Sequence, residues 1–254
     1  MTDQPQKRER RLIPLSHPSP EPHVCTPDVR LEMLGRAPLF ADLTQDELAE
    51  VDRRCHVHGF VAGEAVYHSG TTASRVYVVA SGAVKTVRLA SDGRETLLDL
   101  CGPGEPLGAV PALGEEFHAD SAWTLTPTCL LGLNSNEYAQ IMEEFPAVAM
   151  ATLKGVSRRL SESRQAVHLL AGAPLAQRLA AMLLLLAEKV GRPWEGGVLI
   201  DVPLSRDDLA AMAGAATESV SRVLSIWKRA GTIDSGRRWI AITDSDALRA
   251  LRDG

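Results

Sequence analysis

The sequence predicts an α+β fold in three successive parts: a strand-rich roll, one long helix, and a helix-turn-helix unit closed by a β-hairpin. Three observations carry this expectation. Turn residues punctuate residues 57–133 at roughly 8–12-residue spacing, the texture of short antiparallel strands. A stripe of apolar or small residues in alternating steps of four and three follows. Near the carboxy end come a capped helix, a glycine turn, a second amphipathic helix and a short basic hairpin.

Composition bounds the rest. The chain has 254 residues, 45% hydrophobic, 23% charged and 4% aromatic. These are globular proportions, and the length suits one large domain or two ordinary ones. A net charge of −5 means that any nucleic-acid site must be a local patch. The longest uncharged apolar run, Leu179 to Ala187, is nine residues, far short of a bilayer span. The amino end has no apolar stretch of the kind that directs secretion, so a cytoplasmic protein without a membrane partner is expected.

Residues 1–28 hold six of the fifteen prolines and a KRERR cluster, and read as a flexible arm. From Val29 the pattern turns helical, and Thr44 with Glu47 three residues on is a capping box for a helix through Val51. Pairs such as Gly63-Glu64, Ser69-Gly70 and Ser81-Gly82, then Ser91-Asp92-Gly93 and Gly102-Pro103-Gly104, break up VYVVA, AVKTVRLA and ETLLDL. Residues 29–135 are therefore taken as a roll. A single helix is expected from Asn136 to about His168, within a segment 136–172. Along it Ala149, Leu153, Val156, Leu160, Ser163, Val167 and Leu170 form a narrow apolar seam. Such a seam suits a partner helix, most simply its own copy in a homodimer, with Leu153, Val156, Leu160 and Val167 at the contact. The alternative is an amphipathic helix packed on its own domain.

Residues 173–254 make the last unit. LAQRLAAMLLLLAEKV is apolar enough to be buried, Gly191-Arg192-Pro193 ends it, and GGVLIDVPL reads as a short strand. Ser205 is a good N-cap with Asp207 and Asp208 in the first turn. Leu204, Leu209 and Met212 share an apolar face, and Gly214 closes the helix. A second helix runs from about Thr217 to Arg229 with Val220, Val223, Leu224 and Trp227 inward. GTIDSGRRWIAIT then reads as a wing.

Glu218, Ser221 and Arg222 stand at i, i+3 and i+4, on one outward face. A carboxylate accepts from cytosine N4, a guanidinium forks onto guanine, and a small serine approaches a thymine methyl. The same spacing also suits a plain surface ion pair between Glu218 and Arg222. The turn before and the wing behind favour double-stranded DNA. Ser205, Thr217, Ser219, Lys228, Arg237 and Arg238 are the candidates for DNA contacts away from base edges. Residues 205–252 carry eight basic and six acidic side chains, a weak patch whose binding should depend strongly on salt.

These elements, in this order, resemble the CRP/FNR superfamily of bacterial transcription regulators. The likeness covers about residues 34–245 and is carried by LFADLTQDEL, VYHSGTTASRVYVVASGAVK, GPGEPLGAV and TESVSR. It implies a cyclic-nucleotide-binding-like β-roll acting as a sensor, a dimerisation helix and a winged helix-turn-helix. The pattern Glu218-x-x-Ser221-Arg222 is similar to the FNR branch, since the cyclic-AMP receptor branch has a further arginine where Thr217 stands. A palindrome with TTGAT-like half-sites is then implied, and RNA polymerase as a partner if the protein activates.

The resemblance also locates a departure. Cyclic-AMP receptors carry a Gly-Glu pair for the ribose and an Arg-Ser pair for the phosphate. The matching positions here are Gly108-Ala109 and Asp120-Ser121, which remove the ribose acceptor and replace a cation by an anion. Cyclic AMP is thus not the expected effector. FNR itself holds an iron–sulfur cluster on four cysteines, three of them near its amino end. This chain has four, Cys25, Cys55, Cys101 and Cys129, with only Cys25 in the arm. Packing residues are the favoured reading of the other three, a cluster or a thiol switch the alternatives. His56, His58 and His68 could ligate haem, but histidines on strands more often pack or face solvent. The effector and any cofactor stay open.

A ligand- or redox-sensing regulatory module that acts through protein partners rather than DNA, with the helix-turn-helix as a docking unit, is the rival reading. An enzyme is not expected: there is no nucleophile elbow, phosphate loop or metal-ligand spacing.

Overall fold

A computed structural model of the chain describes residues 26–89, 95–236 and 238–253, with the Ala112 side chain excepted. The arm expected at 1–28, Cys25, the Ser91-Asp92-Gly93 turn and Arg237 lie almost wholly outside these residues.

The chain enters through α1 (Pro27–Arg36), which starts two residues inside the expected arm, and α2 (Gln45–Arg54). The Thr44 capping box forms: its hydroxyl oxygen accepts from Glu47 N, and the Glu47 carboxylate accepts from Thr44 N at 2.7 Å. The roll follows as β1 (His56–Phe60), β2 (Ala65–Tyr67), β3 (Arg75–Ser81), β4 (Val84–Leu89), β5 (Glu95–Cys101), β6 (Pro106–Leu107), β7 (Ser121–Thr124) and β8 (Thr128–Asn134). They build two antiparallel four-stranded sheets, ordered β1-β8-β3-β6 and β2-β7-β4-β5.

Period-two alternation sorts the side chains. On β3, Tyr77 and Val79 point between the sheets, where they meet Tyr67, Val84, Cys101, Leu107, Ala122 and Leu130. Val76 and Val78 point the other way, onto Leu34, Phe40, Leu48, Tyr138 and Ile141 from the helices. The β8 strand is buried on both faces, which explains its unbroken apolar run CLLGL.

The single helix expected from Asn136 is two. The first, α3 (Ser135–Glu144), belongs to the roll and is capped by Asn134. The second, α4 (Pro146–Gly172), begins after a break at Phe145. Pro146 has no N–H to give and forces its predecessor out of the helical region, so Phe145 takes φ −121, ψ 87. The apolar periodicity passed through the break and concealed it.

Of the 27 residues in α4, only Val148 and Thr152 are buried. Thr152 shares a 2.6 Å hydrogen bond with the Tyr138 hydroxyl, tying the base of α4 to the roll. Beyond it Leu153, Val156, Leu160, Val167 and Leu170 are all exposed in the protomer, Leu153 by 59% and Val167 by 66%.

The last unit contains α5 (Leu175–Val190), β9 (Gly191–Trp194), β10 (Gly197–Ile200), α6 (Arg206–Ala213), α7 (Thr217–Ala230), β11 (Ile233–Gly236), β12 (Trp239–Ile242) and α8 (Ser245–Asp253). Its sheet is ordered β11-β12-β10-β9. Sequence reasoning missed β9, because Gly191 and Pro193 read as breakers. Proline is tolerated there because β9 is an edge strand. It also missed α8, whose Leu248 closes the core made by Leu179, Leu183, Leu186, Leu209, Val220, Leu224, Trp227, Ile240 and Ile242. Ala83 and Leu100 of the roll belong to that same core. Among the described residues no helix is long and apolar enough to cross a membrane.

Candidate nucleic-acid interface and sensor site

Ser205 caps α6: its oxygen accepts from Asp208 N at 3.0 Å, and its hydroxyl donates to Asp208 Oδ2 at 2.6 Å. Gly214 then turns the chain at φ +59, ψ 47, a left-handed conformation that suits glycine. The next helix, α7, buries Val220, Leu224 and Trp227 against α5 and α6. A helix turns 100° per residue, so that burial directs the 218–222–225–229 face away from the core. Glu218 and Arg222 are both exposed and Ser221 is half-buried. The expected alternative, an ion pair between Glu218 and Arg222, is not formed: neither side chain is paired among the described residues.

The remaining candidates divide. Thr217 donates to Asp207 Oδ1 at 2.7 Å, a bond from the start of α7 to the start of α6 that fixes their relative position. Ser219 lies half-buried on the flank of α7. Lys228 is paired with Asp234 at 2.9 Å and also donates to the Ser235 carbonyl, so it braces α7 against the wing. Arg238 is exposed at the wing tip in the left-handed region, φ 64. Ser205 spends its side chain on the cap, and Arg237 lies outside the described residues.

In the roll, Gly108 takes φ +100, and a Cβ there would lie 3.1 Å from the Arg75 carbonyl, so glycine fits. Ala109 is buried. Asp120 accepts from the Tyr67 hydroxyl at 3.3 Å, and Ser121 Oγ accepts from Ser69 N at 2.9 Å. Both polar groups of the segment are thus engaged by the roll itself. Burial lifts the Asp120 carboxyl above the ordinary range, against the Tyr67 bond and the charge of Arg159. Arg159 comes from α4 and donates to the Pro106 carbonyl on β6.

Two residues that sequence reasoning passed over fill the neighbouring space. The His118 ring stacks on Tyr67 at 3.8 Å and 10°, and the side chain is 5% exposed. No periodicity signals it, since it lies in the loop before β7. Arg159 was visible only as half of an Arg158-Arg159 doublet on the polar side of the seam.

The other histidines do not gather into a ligand set. His58 is edge-on to Tyr77, His68 is edge-on to Trp123, and His56 is exposed. The cysteines are separated too: Cys101 lies between the sheets, while Cys55 and Cys129 belong to the helix-covered core. Burial pushes the Cys55 thiol up to about 12 and the Cys101 thiol up as well, which suppresses the thiolate needed for metal or redox chemistry. Among the described residues no group of three or more metal-binding side chains occurs. The three described cysteines do not fit as neighbouring ligands of one cluster.

Comparison with known proteins decides the family. Residues 177–251 match the Crp-like helix-turn-helix domain and residues 57–145 the cyclic nucleotide-binding domain. A cyclic AMP receptor protein of Thermus thermophilus is 30% identical over 223 residues, covering 86% of this chain and 98% of the relative. The chain belongs to the CRP/FNR superfamily. A CRP-like cAMP-activated global transcriptional regulator of Mycobacterium tuberculosis is 27% identical over 217 residues, 85% of this chain and 97% of the relative. Among solved structures, FixK2 of Bradyrhizobium japonicum superposes with a TM-score of 0.69 at 25% identity, over 78% of this chain and 96% of its own. This CRP/FNR protein is accordingly a DNA-binding transcription regulator with a roll, a long helix and a helix-turn-helix, and not an enzyme.

The buried histidines give this member a testable acid response. His118 Nδ1 and His58 Nε2 are buried without a hydrogen-bond partner among the described residues. Burial holds both rings below the ordinary imidazole value; Glu115 opposes this at His118, and Arg75 and His56 add to it at His58. The unfolded chain therefore binds more protons than the folded one as pH falls through about 6.5, and stability declines there. His118→Phe, which keeps a ring on Tyr67, should lessen the drop in melting temperature between about pH 7 and about pH 5. An undiminished drop would assign the response elsewhere.

Proposed function

We propose that this chain acts in the cytoplasm as a homodimer that reads a palindrome with TTGAT-like half-sites. Glu218, Ser221 and Arg222 meet base edges, while Thr217, Ser219, Lys228, Arg237 and Arg238 position the unit on the phosphates and Ser205 shapes its first helix. The observation that carries the reading is the exposed face of α7, unpaired and set between a glycine turn and a wing. The α4 stripe supports the dimer: five large apolar side chains at seam spacing stay in water unless a second copy covers them. In this reading residues 29–135 sense, 146–172 pair, and 173–254 read DNA. RNA polymerase joins as a partner where the protein activates.

The signal at the roll is not cyclic AMP. The relatives named for cyclic AMP bear on that ligand, but here Ala109 offers no ribose acceptor, and Asp120 presents a carboxylate where a phosphate would need a cation. The Tyr67 ring that bonds Asp120 is also stacked on His118.

Arg222→Ala should cost about 1–3 kcal/mol of specific binding and relax preference at one base pair, whereas Lys228→Ala or Arg238→Ala should weaken all sequences alike. A mobility shift with the palindrome and its point variants reads both. Unchanged discrimination by Arg222→Ala would refute the base contact.

Titration calorimetry with cyclic AMP and cyclic GMP should give no binding in the micromolar range. A micromolar dissociation constant would overturn the assignment of the roll.

Leu160→Glu places a charge in the middle of the seam. Sedimentation should then find a single chain at concentrations where the parent is paired. A parent that is already single would remove the dimer from the account.

A further inference from the structure

The roll and the carboxy-terminal unit are joined by an ionic contact at the end of α5. Lys189, in the last turn, sends its ammonium to Asp99 Oδ1 at 2.5 Å, Glu105 Oε1 at 3.4 Å and the Leu100 carbonyl at 3.3 Å. The ammonium donates to Asp99 and to the Leu100 carbonyl, pairs with the Glu105 carboxylate, and belongs to a side chain that is 7% exposed. Glu105 also accepts from Gly102 N at 2.9 Å, closing the 102–105 loop around the ammonium. Gly102 approaches so closely that a Cβ would lie 2.6 Å from the Lys189 carbonyl oxygen. A second tie lies on the same sheet, where Lys85 of β4 reaches Asp208 Oδ1 at 3.3 Å. Asp208 is the residue that completes the cap of α6.

A buried ammonium with two carboxylates gains little net stability, because desolvation offsets the attraction. What the arrangement supplies is geometry. Removing the cation leaves two carboxylates facing each other, so alternative orientations of the two units become competitive. Against the downward pull of burial, Asp99 and Glu105 hold Lys189 above its ordinary value, so the pin stays charged at neutral pH.

We propose that Lys189 is a positioning residue: it pins the DNA-reading unit to β5 and the 102–105 loop at one angle, and so transmits the state of the roll to α7 independently of α4. The proposal rests on the dimer and palindrome reading above, since a fixed angle matters only when two reading helices must match one spacing. Each protomer carries its own pin, so each half of the dimer is set before DNA is met.

Lys189→Gln, Lys189→Arg and the exchange Asp99→Lys with Lys189→Asp test it in the full-length protein. Two readouts are followed: amide hydrogen exchange at residues 99–105 and 189–192, and affinity for the palindrome relative to an isolated half-site. In Lys189→Gln, exchange should rise in both segments, and the preference for the palindrome should fall about tenfold with half-site affinity unchanged. Lys189→Arg should keep the parent behaviour, and the exchanged pair should recover a measurable part of it. Parent-like exchange and preference in Lys189→Gln would overturn the pin, and tighter palindrome binding would overturn it by showing a lock instead. If the parent itself does not prefer the palindrome, the dimer reading fails, and hydrogen exchange still decides whether Lys189 holds the two units together.

Discussion

Three buried side chains on one helix decide where the rest of α7 points. Val220, Leu224 and Trp227 enter the core with Leu179, Leu183 and Leu209, each such burial being worth about 1.5–3 kcal/mol. With that face fixed, the helical period leaves Glu218 and Arg222 no direction but outward. The turn at Gly214, the Thr217–Asp207 bond and the Lys228 brace to the wing then remove the remaining freedom of the element. The face that carries Glu218 and Arg222 is thus held from its packed underside and from its two ends.

The same logic shows how much was legible in the sequence. The capping box at Thr44, the N-cap at Ser205, the helix-ending glycine at 214 and the turn residues between the strands are local signals, and they placed most elements and the outward direction of Glu218 and Arg222. What the sequence concealed were features set by tertiary context. Pro146 split a helix whose apolar rhythm ran through the break. Pro193 stood in a strand because that strand lies at a sheet edge. His118 and Lys189 gained their surroundings only when a loop and a helix end met distant strands, and neither lies in a pattern with a period.

The segment of the roll around Asp120 is held by contacts of its own. Asp120 and Ser121 are bonded to Tyr67 and Ser69, His118 stacks on Tyr67, and Arg159 reaches across from α4 to β6. The polar groups of Asp120, Ser121 and Arg159 are thus bonded within the chain. In the function proposed above, a charged nucleotide entering here would have to exchange each of these internal bonds for one to itself.

The break at Phe145 has a mechanical consequence. Because Pro146 contributes no backbone donor, the helical ladder of α3 does not run on into α4, and the two are joined instead by the buried bond between Tyr138 and Thr152. The helix beyond is about 40 Å long at 1.5 Å per residue. It is therefore a spar footed on the roll by Val148, by Thr152 and by the reach of Arg159 to β6, a footing set by side chains rather than by a continuous backbone ladder.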